Sequence, residues 1–364
     1  MLFNITTAKS TDKNKITFSS NGAFEFVGRS SINNGVQGRV NRLSYPPIPK
    51  NTFSLVQVGE SVCLYRNKEW YASQNIFTLT PLDTRLSEQH IFVVSSINKA
   101  LQIYSSAYTY PTLEDVKKLL VYLPVNNGDI DFGFIAEFVA ELEAQRVAEL
   151  ATYLQATGLQ DYTLTEAEQQ IITRTYIVWK EYQIGELFER ITTNKLPYKA
   201  KDLPKQQIGE YTLPCLTSSF MNQGLNYYVP TKGATILRKV ISIPSNSDVY
   251  RAYYQSNYFT VLSDAYAIRW IDKDAHITDN QYLFMVMCIN KITDRPIYSY
   301  KNKLGGWNVV SQKNILLPTK DGKIDFEYME TYITAIKKLA IEDVVKFTDR
   351  KIIATKEIIN IDPL

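Results

Sequence analysis

The chain has 364 residues, 45% of them hydrophobic and 21% charged, with a formal net charge of +3. That is the profile of a globular protein with room for two or three domains. No apolar run approaches the roughly 18 residues of a membrane helix, and Met1-Leu2-Phe3-Asn4-Ile5 lacks the basic-then-apolar layout of a signal peptide, so a cytoplasmic protein without membrane contact is expected. Three cysteines (Cys63, Cys215, Cys288) stand far apart without C-x-x-C spacing and read as reduced, buried thiols. With only His90 and His276 beside them, no metal site is expected.

Residues 1–130 read as β-rich. Phe24-Glu25-Phe26-Val27 alternates and ends at Gly28, and Phe53 to Val58 alternates before Gly59. Val62 to Tyr65 and Ile76 to Leu79 add short strands, with Gly, Asn and Pro between them. After Asp131 the period changes. Phe134, Ile135, Phe138, Val139, Leu142, Leu150, Tyr153 and Leu154 fall mostly at steps of three and four, which predicts an amphipathic helix ended by Gly158. Thr165 with Glu168 forms a capping box for a second helix, expected to run through Ile171, Ile172, Tyr176, Trp179 and Ile184. Residues 187–320 return to the β-rich texture, and Met329, Tyr332, Ile333, Ile336, Leu339, Val344 and Phe347 predict a closing helix.

The order recurs because the sequence does. Leu2-Phe3 with Ile5-Thr6-Thr7-x-Lys9 returns as Leu187-Phe188 with Ile191-Thr192-Thr193-x-Lys195. Asn33-x-Gly35 answers to Asn222-x-Gly224, Asn75-Ile76-Phe77-Thr78 to Asn257-Tyr258-Phe259-Thr260, and Ile97-Asn98-Lys99 to Ile289-Asn290-Lys291. Leu123-Pro124…Gly128-x-Ile130-Asp131-Phe132 matches Leu317-Pro318…Gly322-x-Ile324-Asp325-Phe326. Two copies of half a chain are too few and too long for a solenoid, whose repeats run about 20–50 residues. They are two similar modules in tandem, suited to a target with two similar sites.

Charge is distributed by module. Residues 1–70 hold nine Lys/Arg against four Asp/Glu, residues 190–256 hold nine against three, and residues 131–189 hold three against eleven. A basic region early in each repeat suits phosphate contact. The first also carries a polar loop, in which Arg29, Ser30, Asn33, Asn34, Gln37 and Arg39 stand among glycines. The matching stretch offers Ser218, Ser219, Asn222, Gln223, Asn226 and Tyr227. Arg pairs bidentately with guanine, and Asn or Gln with adenine, in the major groove. An Asn/Gly-rich hairpin without a partner has the same composition, and both readings stand at this point. A second candidate is basic residues among aromatics: Lys68 before Trp70-Tyr71, and Arg251 with Gln255 around Tyr253-Tyr254. Catalytic signatures are absent: no glycine-rich cradle after a strand, no P-loop lysine and no nucleophile triad. Tyr45-Pro46-Pro47-Ile48 has the wrong flanks for an amino-methyltransferase tetrad. A binder is expected, with no catalytic residue and no cofactor of its own.

This layout resembles the DNA-specificity (S) subunits of bacterial restriction–modification systems, type I and type IIB. The strings that carry it are Phe26-Val27-Gly28-Arg29…Asn33-Asn34-Gly35, Tyr71-Ala72-Ser73-Gln74-Asn75 with Tyr254-Gln255-Ser256-Asn257, Gly185-Glu186-Leu187-Phe188, and Leu-Pro…Ile-Asp-Phe before each helix. Coverage is essentially the whole chain. The resemblance implies an α+β fold: two similar β-rich target recognition domains separated by long paired, coiled-coil-like helices. The domains fall at 1–130 and 187–324, the helical spacer at 131–186 and the C-terminal spacer helix at 325–364. It further implies that the chain reads a bipartite site on double-stranded DNA. Methyltransferase and endonuclease subunits dock on the helices and bring S-adenosylmethionine and Mg. One departure stands out: Leu2-Phe3 opens the chain, whereas a helix precedes Leu187-Phe188. Either this start is shortened, or the chain is a piece of a larger modification–specificity polypeptide. Two other readings remain open: a polypeptide with its own diverged nuclease, and a β-rich protein that binds something other than DNA.

Overall fold

Strands open the first half and return from Phe188 in the second, as the β-rich texture predicts. The computed structural model describes residues 1–104, 109–262, 264–299 and 301–361, so the last three residues of the helix expected over 325–364 lie outside the described residues. The chain divides into two units, Met1–Leu150 with the end of the chain from Lys351, and Ala151–Arg350. Both hold helices and strands.

In the first unit the strands are β1 (Phe3–Thr7), β2 (Phe24–Val27), β3 (Val36–Val40), β4 (Thr52–Val56), β5 (Cys63–Arg66), β6 (Trp70–Ala72) and β7 (Ile76–Pro81). Then come α1 (Arg85–Glu88), α2 (His90–Leu101), α3 (Leu113–Lys118), β8 (Val125–Asn126), β9 (Asp129–Ile130) and the start of α4 (Phe132–Ala156). An antiparallel sheet runs β1-β7-β4-β5. A second sheet runs β3-β2-β6, with β6 parallel to β2. Helix α2 presents Val93, Ile97 and Leu101 to Phe3, Phe53, Leu55, Phe77 and Leu79 of the larger sheet, and all are buried. Each such side chain is worth about 1.5–3 kcal/mol when fully removed from water.

The second unit contains α5 (Glu166–Thr173), β10 (Val178–Gln183), α6 (Ile184–Leu187), β11 (Phe188–Arg190), β12 (Tyr211–Leu216), β13 (Leu225–Pro230), β14 (Val240–Pro244), β15 (Tyr253–Gln255), β16 (Thr260–Val261) and β17 (Ala265–Trp270). α7 (Asp279–Thr293), α8 (Trp307–Val310), β18 (Asn314–Lys320), β19 (Lys323–Ile324) and α9 (Phe326–Ile361) follow. Two of its sheets run β11-β17-β14-β15 and β13-β12-β16, repeating the two sheets above, and a third runs β10-β18-β19.

Individual hydrogen bonds repeat as well. The Asn98 side chain bonds the backbone N–H and C=O of Cys63, and Asn290 does the same for Ala252. Leu82 N–H donates to Leu2 C=O and Ile271 N–H to Leu187 C=O. Asp131 Oδ1 caps α4 by accepting from Phe134 N–H at 2.9 Å, and Asp325 Oδ1 caps α9 by accepting from Tyr328 N–H at 2.9 Å. These bonds set the true register of the repeat. They confirm the Ile97–Lys99 and Leu-Pro matches and correct another. Asn75 opens β7, whereas Asn257 leads into β16, which occupies the place of β6. Tyr254-Gln255 lies on β15, in the place of β5, so its match to Tyr71–Asn75 fails for the same reason.

Two further expectations change. The helix begun at Thr165 has its capping box but stops at Thr173. Val178–Gln183 is instead a strand, paired antiparallel with β18 from Val178↔Thr319 to Gln183↔Asn314. Val, Trp and Tyr favour strands, and a remote partner outweighed a local spacing of three and four. Conversely, α2 and α7 lie within the stretches read as β-rich. Ile91-Phe92-Val93-Val94 and Tyr282 to Cys288 are apolar runs without a clear period, because each helix packs on a sheet. The helix ended by Gly158 is as expected: Gly158 has φ 68°, and Leu159 N–H reaches back to Leu154 C=O.

Candidate nucleic-acid interface

The polar loop after β2 is a rigid turn. Asn33 (φ 51°), Asn34 (φ 51°) and Gly35 (φ 72°) take the left-handed conformation in succession, which Asn and Gly tolerate best. Gly28 N–H donates to Gly35 C=O, Ile32 N–H to Ser30 Oγ, and Asn33 Nδ2 to Val36 C=O. The loop after β12 has the same geometry, with Asn222 (φ 47°), Gln223 (φ 53°) and Gly224 (φ 85°). Thr217 N–H donates to Gly224 C=O, Met221 N–H to Ser219 Oγ, and Asn222 Nδ2 to Leu225 C=O.

Beneath each turn stands one buried polar side chain. Arg66 is 1% exposed, and it donates from Nη1 to Asn34 C=O at 2.6 Å and from Nε to Ser54 Oγ at 2.9 Å. Burial pulls its guanidinium down to about 10, against the pull of nearby Glu25. In the second unit Gln255 is 4% exposed, and its Nε2 donates to Gln223 C=O and Ser242 Oγ, both at 3.1 Å. Gln255 was expected to touch DNA. It is scaffold instead, committed to the interior by both bonds. Nothing in the sequence marked Arg66 as a buried support, since an arginine in a basic stretch reads as surface.

The other expected contacts fall into groups. Arg29 and Asn34 are exposed on the first loop and Gln37 is exposed on β3 beside it, and Arg29 makes no hydrogen bond or ion pair with the described residues. Ser30 accepts within its own turn. Arg39 is exposed but donates to the backbone of Gly22 and Ala23. In the second unit Ser218, Ser219, Asn222, Asn226 and Tyr227 line one cleft of about 560 Å³. Lys205, Tyr228 and Asp264 share it and were not anticipated. Gln223 is exposed at the turn. Lys68 and Arg251 stand outside these groups. Lys68 lies 3.6 Å from Glu25, and Arg251 donates to Asp294 Oδ2 at 2.6 Å, a bond that raises its guanidinium pKa. Among the described residues no group of three or more His, Cys, Asp or Glu is placed to hold a metal. Burial pushes the Cys63 and Cys215 thiols up to about 12 and Cys288 up to about 11. No described helix is long and apolar enough to cross a membrane.

Twin turns on twin scaffolds, with different side chains at their tips, are thus the site's geometry. The model of the type I restriction modification DNA specificity domain matches residues 2–152 and 177–346, one region per repeat. The chain belongs to that family. Among relatives of this specificity-domain protein, the type II restriction enzyme specificity subunit S.BcgI of Heyndrickxia coagulans is 20% identical over 343 residues, covering 91% of each chain. Among solved structures, the S subunit of a type I restriction-modification system from M. genitalium overlays with a TM-score of 0.54 at 15% identity. That overlay covers 98% of this chain and 91% of that one, and it shows the shared fold.

Proposed function

We propose that the chain reads a bipartite site on duplex DNA and directs partner subunits that methylate and cleave. Each module takes one half-site. The first uses Arg29, Ser30, Asn33, Asn34 and Gln37, and the second uses Ser218, Ser219, Asn222, Gln223, Asn226 and Tyr227. The observation that carries this is the pair of left-handed turns. Arg66 and Gln255 hold equivalent backbones in place while the exposed side chains differ, as two readers of different sequences require. Arg39, Lys68 and Arg251, basic and exposed, serve as phosphate contacts, with Lys68 and Arg251 exchanging Glu25 and Asp294 for phosphate.

On this reading the chain is non-catalytic, cytoplasmic and free of cofactor. S-adenosylmethionine and Mg belong to the partner subunits, which dock on the helices of 131–186 and 325–364. Those helices pair as the spacer between recognition domains 1–130 and 187–324. An ion pair between Lys351 on α9 and Glu143 on α4, at 3.0 Å, supports the pairing. Methylome sequencing of cells carrying the intact system tests the proposal: a single two-part motif with a fixed gap is expected. An unmodified genome in a strain with active partner subunits overturns it.

A further inference from the structure

The register of the twin turns extends to a position that neither loop contains. Gly28 N–H bonds Gly35 C=O as Thr217 N–H bonds Gly224 C=O, so Val27 answers to Leu216. β6 runs parallel to β2 with Val27↔Ala72, and β16 runs parallel to β12 with Leu216↔Val261. Ser73 N–H donates to Val27 C=O at 2.8 Å, and Leu262 N–H to Leu216 C=O at 2.9 Å. Two parallel strands release the chain at the same end of a sheet. The connection after β6 therefore leaves beside the polar loop after β2, and the connection after β16 beside the loop after β12. Each connection ends three residues past the paired Ala72 or Val261, at Asn75 and at Asp264. Gln57 N–H donates to Asn75 C=O at 2.9 Å, and Ser245 N–H to Asp264 C=O at 2.8 Å. Asn75 is thus the counterpart of Asp264, an amide in one module and a carboxylate in the other.

Neither side chain serves the scaffold. Both are exposed, and neither makes a hydrogen bond or ion pair with the described residues. In the second unit Asp264 lines the same cleft of about 560 Å³ as Ser218, Asn222 and Asn226. A carboxylate facing a polyanion is repelled by phosphate and gains only where a donor meets it. In the major groove those donors are the amino groups of cytosine and adenine. Adenine sets its N7 acceptor beside the amino group, which suits an amide, since an amide both donates and accepts. A carboxylate only accepts, so N7 repels it, whereas cytosine offers its amino group with no acceptor alongside.

We infer that, on the reading in which each module takes one half-site of duplex DNA, Asn75 and Asp264 occupy the same specificity-determining position. Asn75 pairs with an adenine of the first half-site, and Asp264 accepts from the amino group of a cytosine in the second. The two side chains have nearly the same shape, so exchanging them alters the pattern of donor and acceptor and little else. Asn75 holds φ 61°, a conformation that Asp tolerates as Asn does, and its exposure leaves the core untouched.

The test incubates the whole chain with a pool of randomised duplexes and sequences those that stay bound. Wild type, Asn75→Asp, Asp264→Asn and Asp264→Ala are compared. The wild-type chain is expected to enrich a two-part motif. Asp264→Asn should turn one cytosine of one half into adenine, changing the ratio of the two bases about tenfold or more, with every other position kept. Asn75→Asp should make the converse change in the other half. Asp264→Ala should lose the preference at its position and gain none. A wild-type motif that both exchange variants reproduce unchanged overturns the inference and leaves the reading of the twin loops standing. So do changes that fall in the same half. Stronger binding of Asp264→Asn to all duplexes alike, with the motif unaltered, would make Asp264 a source of repulsion from phosphate only and also overturns it. A wild-type chain that enriches no motif overturns this inference and the half-site reading together.

Discussion

Arg66 and Gln255 show one backbone problem solved with two side chains. Each turn presents a carbonyl inward, that of Asn34 or Gln223, and a buried donor anchored on Ser54 or Ser242 meets it. Losing that donor leaves the carbonyl unpaired and a cavity behind, so Arg66→Ala is expected to cost about 2–5 kcal/mol in urea unfolding. Arg66→Gln should recover part of the loss, because the second unit already works that way; equal losses would show that the bond to the turn is not what matters. At the exposed tip, Arg29→Ala should cost about 1–3 kcal/mol at the cognate site and relax specificity at one position, as loss of a bidentate base contact does. An even loss of affinity across all sequences would make Arg29 a phosphate contact. The buried thiols give a simpler check. With Cys63 and Cys215 pushed up to about 12, the thiolate fraction at pH 8 is about one part in ten thousand. Iodoacetamide should leave both unlabelled in the native chain and label them in urea, as read by mass spectrometry. The loops were legible because Asn, Gly and Arg cluster there; the supports were not, because burial of a polar residue depends on what folds over it.

Among the elements, those with a local signal were readable and those made by remote partners were not. α4 and α9 show apolar residues mostly at steps of three and four, and Thr165 announces α5 through its capping box. β10 exists because β18 lies far along the chain to pair with it. α2 and α7 were missed because Ile91 to Val94 and Tyr282 to Cys288 are unbroken apolar runs of the kind strands also show. The α5 box also makes a pH prediction. The Thr165 backbone N–H, and then Lys338, hold the Glu168 carboxyl below its ordinary value. A depressed carboxylate stabilises the fold above its ordinary pKa of 4.5, and that contribution is lost as pH falls through the lower folded value. Thr165→Ala removes the hydroxyl that caps Glu168 N–H and should cost about 1 kcal/mol at neutral pH in thermal unfolding. A cost below about 0.3 kcal/mol would mean that Lys338 alone secures the helix start.

At the scale of the whole molecule the duplication was the most legible feature, since it needed only the chain's likeness to itself. The register was harder: short strings such as Asn75 to Thr78 matched the wrong neighbour, and hydrogen bonds from Asn98 and Asn290 corrected it. Two modules that share a scaffold and differ at their tips should read independently. Exchanging residues 1–130 for a relative's module should therefore change one half of the methylated motif and leave the other intact. The gap between halves has a separate cause on the proposed reading, namely the rod formed by α4. It spans 25 residues, and at 1.5 Å per residue it is about 38 Å long, close to the 34–36 Å turn of B-DNA. Four residues inserted near Gln145 would add about 6 Å and rotate the helix end by about 40°. The methylated motif should then keep both half-sites and widen its gap by one or two base pairs, about 3.4 Å each. A folded insertion variant that still methylates only the original spacing would show that the gap is set elsewhere than in this helix.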